Sequence, residues 1–342
     1  MIEPSTATAP LTTTAPMALD GGPLLGLPLA ELWFGLVFFV LATFLFLDGF
    51  DFGVGVLFAL QDDAEVRETM LAAIGPFWDG NEVWLVVFGG VLFAAFPAAY
   101  ANLFSRHYLL MFAILGALIL RGLAPEFYEQ RHDEAWQTWW GRAFVAGSVA
   151  APFFLGMFAA NWMVGATGTF TVAGALVGLA VVALTVVDGA AFLRVKTRGD
   201  LQDAARGYGV SALVAYLGLV VVAVGYLALT RPALRSSLAS PAVLGLLVLS
   251  VVLGGAFVAA TRADRHYLAF GTVAGLVAAL VGVVATTTYP YVDPAAGLLV
   301  EDAIISTLPL NLMTVGSSIL LPLVFVYFAV LYSAFSGPMD AD

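Results

Sequence analysis

Nine stretches of this chain are each long and apolar enough to cross a lipid bilayer, and this limits the fold more than any single residue does. A helix needs about 20 apolar residues to span the ~30 Å hydrocarbon core. The stretches cover approximately 32–60, 70–99, 107–125, 142–163, 169–193, 207–229, 241–260, 266–288 and 309–335. Transmembrane β-strands would show alternating segments of about ten residues, whereas these runs are longer and continuously apolar. Helices satisfy every backbone group internally, as lipid requires. The expected fold is an all-α integral membrane protein of about nine transmembrane helices.

Composition agrees. The chain is 61% hydrophobic and 11% charged, against about 25% charged in a soluble domain. Thirteen Lys and Arg face twenty-four Asp and Glu, for a net charge of −11. With no basic patch, nucleic-acid binding is excluded. There is no cysteine, so disulfides, thiolate metal sites and cysteine nucleophiles are excluded too. Residues 1–31 are rich in Pro, Thr, Ala and Gly and lack the basic and apolar regions of a signal peptide. They read as a mobile N-terminal extension.

The loops give an orientation. One set of connections carries ten cations: Arg67, Arg121, Arg131, Arg142, Arg194, Lys196, Arg198, Arg206, Arg262 and Arg265. The opposite set carries three: Arg106, Arg231 and Arg235. The positive-inside rule then places the N-terminus outside and the C-terminus in the cytoplasm, as an odd number of spans requires. The acidic excess, including Asp62, Asp63, Glu65 and Glu68, falls mainly in loops, as solvated interfacial charge.

A weak repeat is present. Asp48-Gly49 in the first span and Asp188-Gly189 in the fifth are each followed by a loop containing Leu-Gln-Asp. This suggests two four-helix bundles, over 32–163 and 169–288, running in the same direction, with a peripheral ninth helix over 309–335. Arg-His-Tyr-Leu also occurs twice, at 106–109 and 265–268, but at positions that do not correspond in such a repeat.

Several carboxylates lie where lipid should forbid them. A charge at a helix centre costs about 2.5–3.5 kcal/mol on insertion scales. Asp48 and Asp51 are three apart in the first span, hence on one face. Asp79 and Glu82 have the same spacing in the second, within Gly75-Pro-Phe-Trp-Asp-Gly-Asn-Glu-Val-Trp84. Asp48 lies roughly 18 Å and Asp79 roughly 14 Å from the inner ends of their helices at 1.5 Å per residue. The two helices are antiparallel neighbours, so these acids are expected to face each other. Arg121 is the best-placed cation. Carboxylates so placed can load and release protons, as a proton path requires; hydrogen-bonded helix glue is the plainer alternative for any one of them. Pro76 and Gly80 are positioned to kink the second helix. Trp78 and Trp84 lie too deep for an interfacial aromatic belt and read first as packing.

The three histidines, His107, His132 and His266, all fall at predicted helix ends or in loops. Haems in membranes are usually held by histidines well inside helices, so no haem is expected on this chain through histidine, and no metal site is read. Nucleotide and serine-nucleophile motifs are absent from the sequence. Any redox chemistry must come from a partner.

At this point the chain resembles a known family. Leu47-Asp-Gly-Phe-Asp-Phe-Gly-Val-Gly55, the run Gly75–Leu85 and Gly89-Gly-Val-Leu-Phe-Ala-Ala-Phe-Pro97 are similar to signatures of subunit II of the cytochrome bd quinol oxidases. So are Leu120-Arg-Gly122, Tyr289-Pro290, Leu310-Asn-Leu-Met313 and Pro322, and together these cover roughly 32–335. The resemblance implies a haem-free subunit packed against a haem-bearing subunit I, with haem b and haem d, or b-type haems alone, held by that partner. It implies oxidation of quinol, reduction of dioxygen to water, and a proton pathway from the inside through Asp48 and Asp79, with Asp51 and Glu82 as lesser members. Arg121 falls on the family's arginine position, and Asn81, Trp78 and Trp84 belong to the second-helix motif as supporting residues. A structural quinone occurs in some members. Two positions depart from the pattern: Pro125, and Asp188 where members carry a neutral residue or His.

Two other readings remain open. Acids in a broken helix together with an internal repeat also fit a stand-alone proton-coupled transporter. A purely structural subunit is the third.

Overall fold

The computed structural model describes residues 22–335 and 337. The extension read over 1–31 lies outside the described residues as far as residue 21. Its last part is tied down, because Asn311 accepts from the Leu24 amide at 2.8 Å and donates to the Gly22 carbonyl at 2.9 Å.

The chain is almost wholly helical. In order the helices are α1 (Leu29–Leu47), α2 (Gly49–Phe58), α3 (Ala64–Ile74), α4 (Trp78–Ala95), α5 (Pro97–Arg106), α6 (Tyr108–Glu129) and α7 (Glu134–Met163). There follow α8 (Val172–Lys196), α9 (Gly199–Thr230), α10 (Arg235–Leu238), α11 (Pro241–Arg262), α12 (His266–Thr288), α13 (Val300–Ala303) and α14 (Thr307–Ala334). A two-stranded antiparallel ribbon, β1 (Tyr291–Asp293) and β2 (Leu298–Leu299), precedes α13.

Local chemistry sets the helix starts. Asp63, Asp133, Thr171 and Ser240 each accept a backbone N–H from the first turn of α3, α7, α8 and α11, satisfying donors that a helix start would otherwise leave bare. Helices α7 and α9 begin eight residues before the spans read from hydropathy, at Glu134 and Gly199. Their added turns carry charged and aromatic residues, which the interface tolerates.

Among the described residues, eight helical runs are long and apolar enough to cross a membrane, with α1 and α2 forming one run, Leu29–Phe58. The stretch read as a second span, 70–99, is interrupted. It breaks at Gly75-Pro76-Phe77, where proline supplies no N–H, and again at Phe96, with Pro97 opening α5. It still crosses. Asn81 of α4 bonds to Asp51 of α2, and the Ala95 carbonyl at the far end of α4 accepts from Ile305, next to α13, which packs on α1. Helix α4 is therefore antiparallel to α1–α2. Helix α14 runs parallel to them: Trp33 donates to Thr314 at 2.9 Å, Phe39 packs on Phe325, and Phe50 meets Tyr332. Parallel first and last helices require an odd number of crossings, and α4 supplies the ninth.

Neighbouring helices pair as α6 with α7, α8 with α9, and α11 with α12; α2 packs on both α7 and α8, and α12 on α1. Helix α14 lies at the edge and meets α1 and α4 through side chains. At one end of the bundle Arg194 and Arg206 both pair with Asp264, and Lys196 donates to the Phe335 carbonyl. At the other end Arg106 grips Asp293 through two bonds of 2.8 and 3.0 Å, and the Trp162 indole donates to the Val292 carbonyl at 2.7 Å. The cation-rich loops thus share one end, called the cationic end below.

Candidate functional site

The site lies in the half of the bundle nearer the cationic end and is built by four helices. Helix α1 ends at Leu47 and α2 begins at Gly49, with the backbone hardly deflected, since Asp48 between them keeps helical angles. Asp48 and Asp51 therefore project from one face, and neither is exposed. Arg121 comes from α6, eight residues before its end at Glu129, or about 12 Å of helix. Sequence reading put Arg121 among the loop cations. Because α6 continues through Pro125, the guanidinium is instead enclosed in the bundle and 1% exposed.

One guanidinium serves three carboxylates. Arg121 Nη2 lies 2.5 Å from Asp48 Oδ1 and 3.3 Å from Asp51 Oδ2, and Nη1 lies 3.5 Å from Glu82 Oε1. The rings of Phe52 and Trp78 lie 5.1 and 5.8 Å from the Arg121 carbon, within cation–π range. Asn81 donates to Asp51 Oδ2 at 2.9 Å, and Tyr332 of α14 donates to Asn81 Oδ1 at 3.1 Å. A polar chain thus runs from Arg121 through Asp51 and Asn81 to the peripheral helix.

Close helix crossings hold this geometry. A Cβ at Gly147 of α7 would stand 2.7 Å from the Ala117 carbonyl and the Arg121 backbone, and one at Gly122 would stand 3.2 Å from Trp78. Where α2 crosses α8, a Cβ at Gly53 would stand 1.8 Å from the Thr185 carbonyl, and one at Gly189 would stand 2.4 Å from Gly53. The two Asp-Gly pairs noted in the sequence therefore meet at this crossing.

Asp79 does not face Asp48. It is exposed on α4, where Asn81 faces inward. The reason is helical periodicity. Positions 79 and 81 differ by about 200° around a helix, so only one can point into the bundle. Asn81, Trp84, Phe88, Leu92 and Ala95 form the buried stripe of α4, which turns Asp79 and Val83 outward. Glu82 is intermediate, its side chain 26% exposed. Trp84 packs on Phe325 and Phe328 of α14, at 5.4 and 5.9 Å.

Tyr332 has no mark in the sequence, being one aromatic among many in an apolar helix, and Phe52 lies within the Leu47–Gly55 run without being singled out as a partner of Arg121. Gly147 likewise has no motif.

Among the described residues there is no grouping of three His, Cys, Asp or Glu side chains fit to hold a metal. A groove of about 480 Å3 opens between α1, α12 and α14, lined by Phe39, Phe46, Phe270, Phe325, Phe328 and Tyr332 among others.

Comparisons with known proteins bear on this arrangement. The family model described as "Cytochrome bd terminal oxidase subunit II" matches residues 29–335. "Cytochrome bd ubiquinol oxidase subunit 2" of Bacillus subtilis is 32% identical, over 86% of this chain and 92% of its own. "Cytochrome bd-I ubiquinol oxidase subunit 2" of Escherichia coli K12 is 29% identical, over 91% of this chain and 95% of its own. A chain from "The structure of bd oxidase from Geobacillus thermodenitrificans" superposes with a TM-score of 0.76 at 18% identity, covering 90% of this chain and 98% of that one. At that identity the likeness speaks for the fold.

Proposed function

The chain belongs to the cytochrome bd terminal oxidase subunit II family, and hence to an oxidoreductase complex, and from that premise we propose that it is the haem-free subunit of a quinol oxidase that reduces dioxygen to water. In this reading it has two tasks. It scaffolds a haem-bearing subunit I, and it carries protons from the cationic, cytoplasmic end toward that subunit, through Asp48, Asp51, Glu82 and Asp79.

The observation that carries the reading is the buried group around Arg121. Three carboxylates share one cation, and a fully compensated structural ion pair would not need the other two. Burying charge without compensation is costly, so the surplus acids are the natural place for protons to bind. Among the described residues no donor reaches Asp48 Oδ2 or Asp51 Oδ1, which leaves each able to take a proton.

The outward position of Asp79 supports a partner. A carboxylate on the lipid-facing side of a membrane helix is strongly disfavoured. The α4 face bearing Asp79 is therefore the one we assign to subunit I, with Asp79 as the exit of the path and Glu82, between it and Arg121, as the link. The aromatic groove beside α14 has the apolar lining that a prenyl or acyl chain requires. In this reading the chain is a multi-pass protein of the plasma membrane, and the loop charges support an N-terminus outside and a C-terminus in the cytoplasm.

A mild-detergent pull-down of the tagged chain, with a reduced-minus-oxidised spectrum of the eluate, tests the assembly. Co-elution of a larger membrane subunit with b-type bands, with or without a d-type band, is the expected result. A colourless chain that purifies alone from several detergents would favour the transporter.

A further inference from the structure

The pathway above leaves one buried acid unused. Asp188 of α8 is fully buried, and among the described residues neither of its carboxylate oxygens has a hydrogen-bond partner. It sits on the backbone next to Asp48: a Cβ at Gly49 would stand 2.8 Å from Asp188 Oδ2. The glycines at 49, 53 and 189 allow this approach, because the α2–α8 crossing has no room for side chains there. Among the described residues no Lys, Arg or His donates to the Asp188 carboxylate. Arg121, the cation of this region, is already divided among three other carboxylates.

We propose that Asp188 is a further proton-binding residue of the Arg121 group, a store on α8 that exchanges its proton with the Asp48–Asp51 pair across the α2–α8 crossing. The proposal rests on the proton-path reading and extends it to the second half of the chain. The argument is one of charge and space. An ionised carboxylate without counter-charge cannot be kept in an apolar interior at acceptable cost. Asp188 therefore carries a proton at rest. The one acidic O–H it then has can be given to an unpaired oxygen of Asp51 or Asp48, directly or through a water. When it is given, the O–H bond at Asp188 breaks, an O–H forms on the acceptor, and the proton count of the group is unchanged. Uptake from the cationic end returns a proton to Asp188. The two Asp-Gly pairs then have distinct tasks: Asp48 is held by Arg121, while Asp188 has no cation and stores.

The test uses the purified oxidase complex and reads two things, the hydrogen/deuterium-sensitive carboxyl C=O bands in the infrared and the pH profile of quinol oxidase turnover. Asp188→Asn should remove one protonated-carboxyl band and displace the pH profile at unchanged haem content, and Asp188→Glu should restore a band. An unaltered set of bands in Asp188→Asn would overturn the proposal, whatever the turnover. Loss of the band with an unchanged pH profile would overturn the exchange role. If Asp188→Asn fails to assemble, Gly49→Ala reads the same group by pressing a methyl against its carboxyl. A shifted band then supports the assignment, and unmoved bands overturn it. The infrared result does not depend on turnover, so it separates failure of this proposal from failure of the proton-path reading.

Discussion

Asp48 and Arg121 stand 73 residues apart in the chain, yet their side chains meet at 2.5 Å in a place where neither touches solvent. A pair so buried gains less from attraction than it costs to desolvate unless further bonds complete it. Here the remaining arms of the guanidinium turn to Asp51 and Glu82. The arginine thus joins α2, α4 and α6 at one point, and four predictions follow from that geometry and from its surroundings.

Replacing Arg121 by Met should be severe. Removing one partner of a buried pair typically costs about 3–5 kcal/mol, and here two fully buried carboxylates lose their cation together. Thermal unfolding of the purified complex should show a strongly lowered midpoint, or the subunit should fail to accumulate. Arg121→Lys should fall between, because a single ammonium cannot reproduce the guanidinium fork. Equal stability of Met and Arg variants would mean that the acids are already neutral without it.

Asp79 and Asp48 should separate by mutation. Asp79→Asn alters an exposed group and should leave the fold and haem content intact while lowering quinol oxidase turnover at least about tenfold, the loss of a proton-transfer group. Asp48→Asn should lower turnover and also weaken the structure, since it removes a 2.5 Å ion pair. Unchanged turnover in Asp79→Asn, with haems present, would leave the chain a scaffold only.

Gly53→Ala probes the helix crossing. Its methyl would occupy the place of the Thr185 carbonyl oxygen, at 1.8 Å, so α2 and α8 must separate. Overpacking of this kind costs about 1–3 kcal/mol or more. Gly89→Ala, where a methyl meets nothing within 4 Å, is the control and should unfold at the wild-type temperature.

The end opposite the cationic one should be acid-sensitive. His107, between α5 and α6, is held below its ordinary value of 6.5 by burial first and by Arg106 second, with Asp293 partly offsetting both. The folded chain keeps it neutral, while the unfolded chain takes up a proton near 6.5. Its contribution to stability is therefore full above that value and declines as pH falls through it. The unfolding temperature in detergent should drop between about pH 7 and pH 5, and His107→Phe should flatten that slope. Near neutral pH Asp293→Asn should cost about 1.5–3 kcal/mol, since it removes a charged bidentate bond to Arg106.

Much of this was written in the linear chain. Eight of the nine apolar runs became continuous helical spans, because lipid leaves the backbone no other way to satisfy itself, while the 70–99 run was broken at Gly75-Pro76-Phe77 and at Phe96. The acids of 48–82 marked the site, because carboxylates in such runs are expensive. Apart from Arg121, the cations seen in ion pairs lie toward the ends of the bundle, because charge stays near water. Three things were decided only in three dimensions. Sequence spacing paired Asp48 with Asp79 by depth, but depth says nothing about rotation. The stripe from Asn81 to Ala95 set the rotation of α4 and turned Asp79 outward. Arg121 looked like a loop cation, because a hydropathy window cannot see that α6 carries it inside to meet three acids. Likewise, two distant Asp-Gly pairs become one site only when glycines let α2 and α8 touch, and that contact depends on backbone shape rather than on any local pattern.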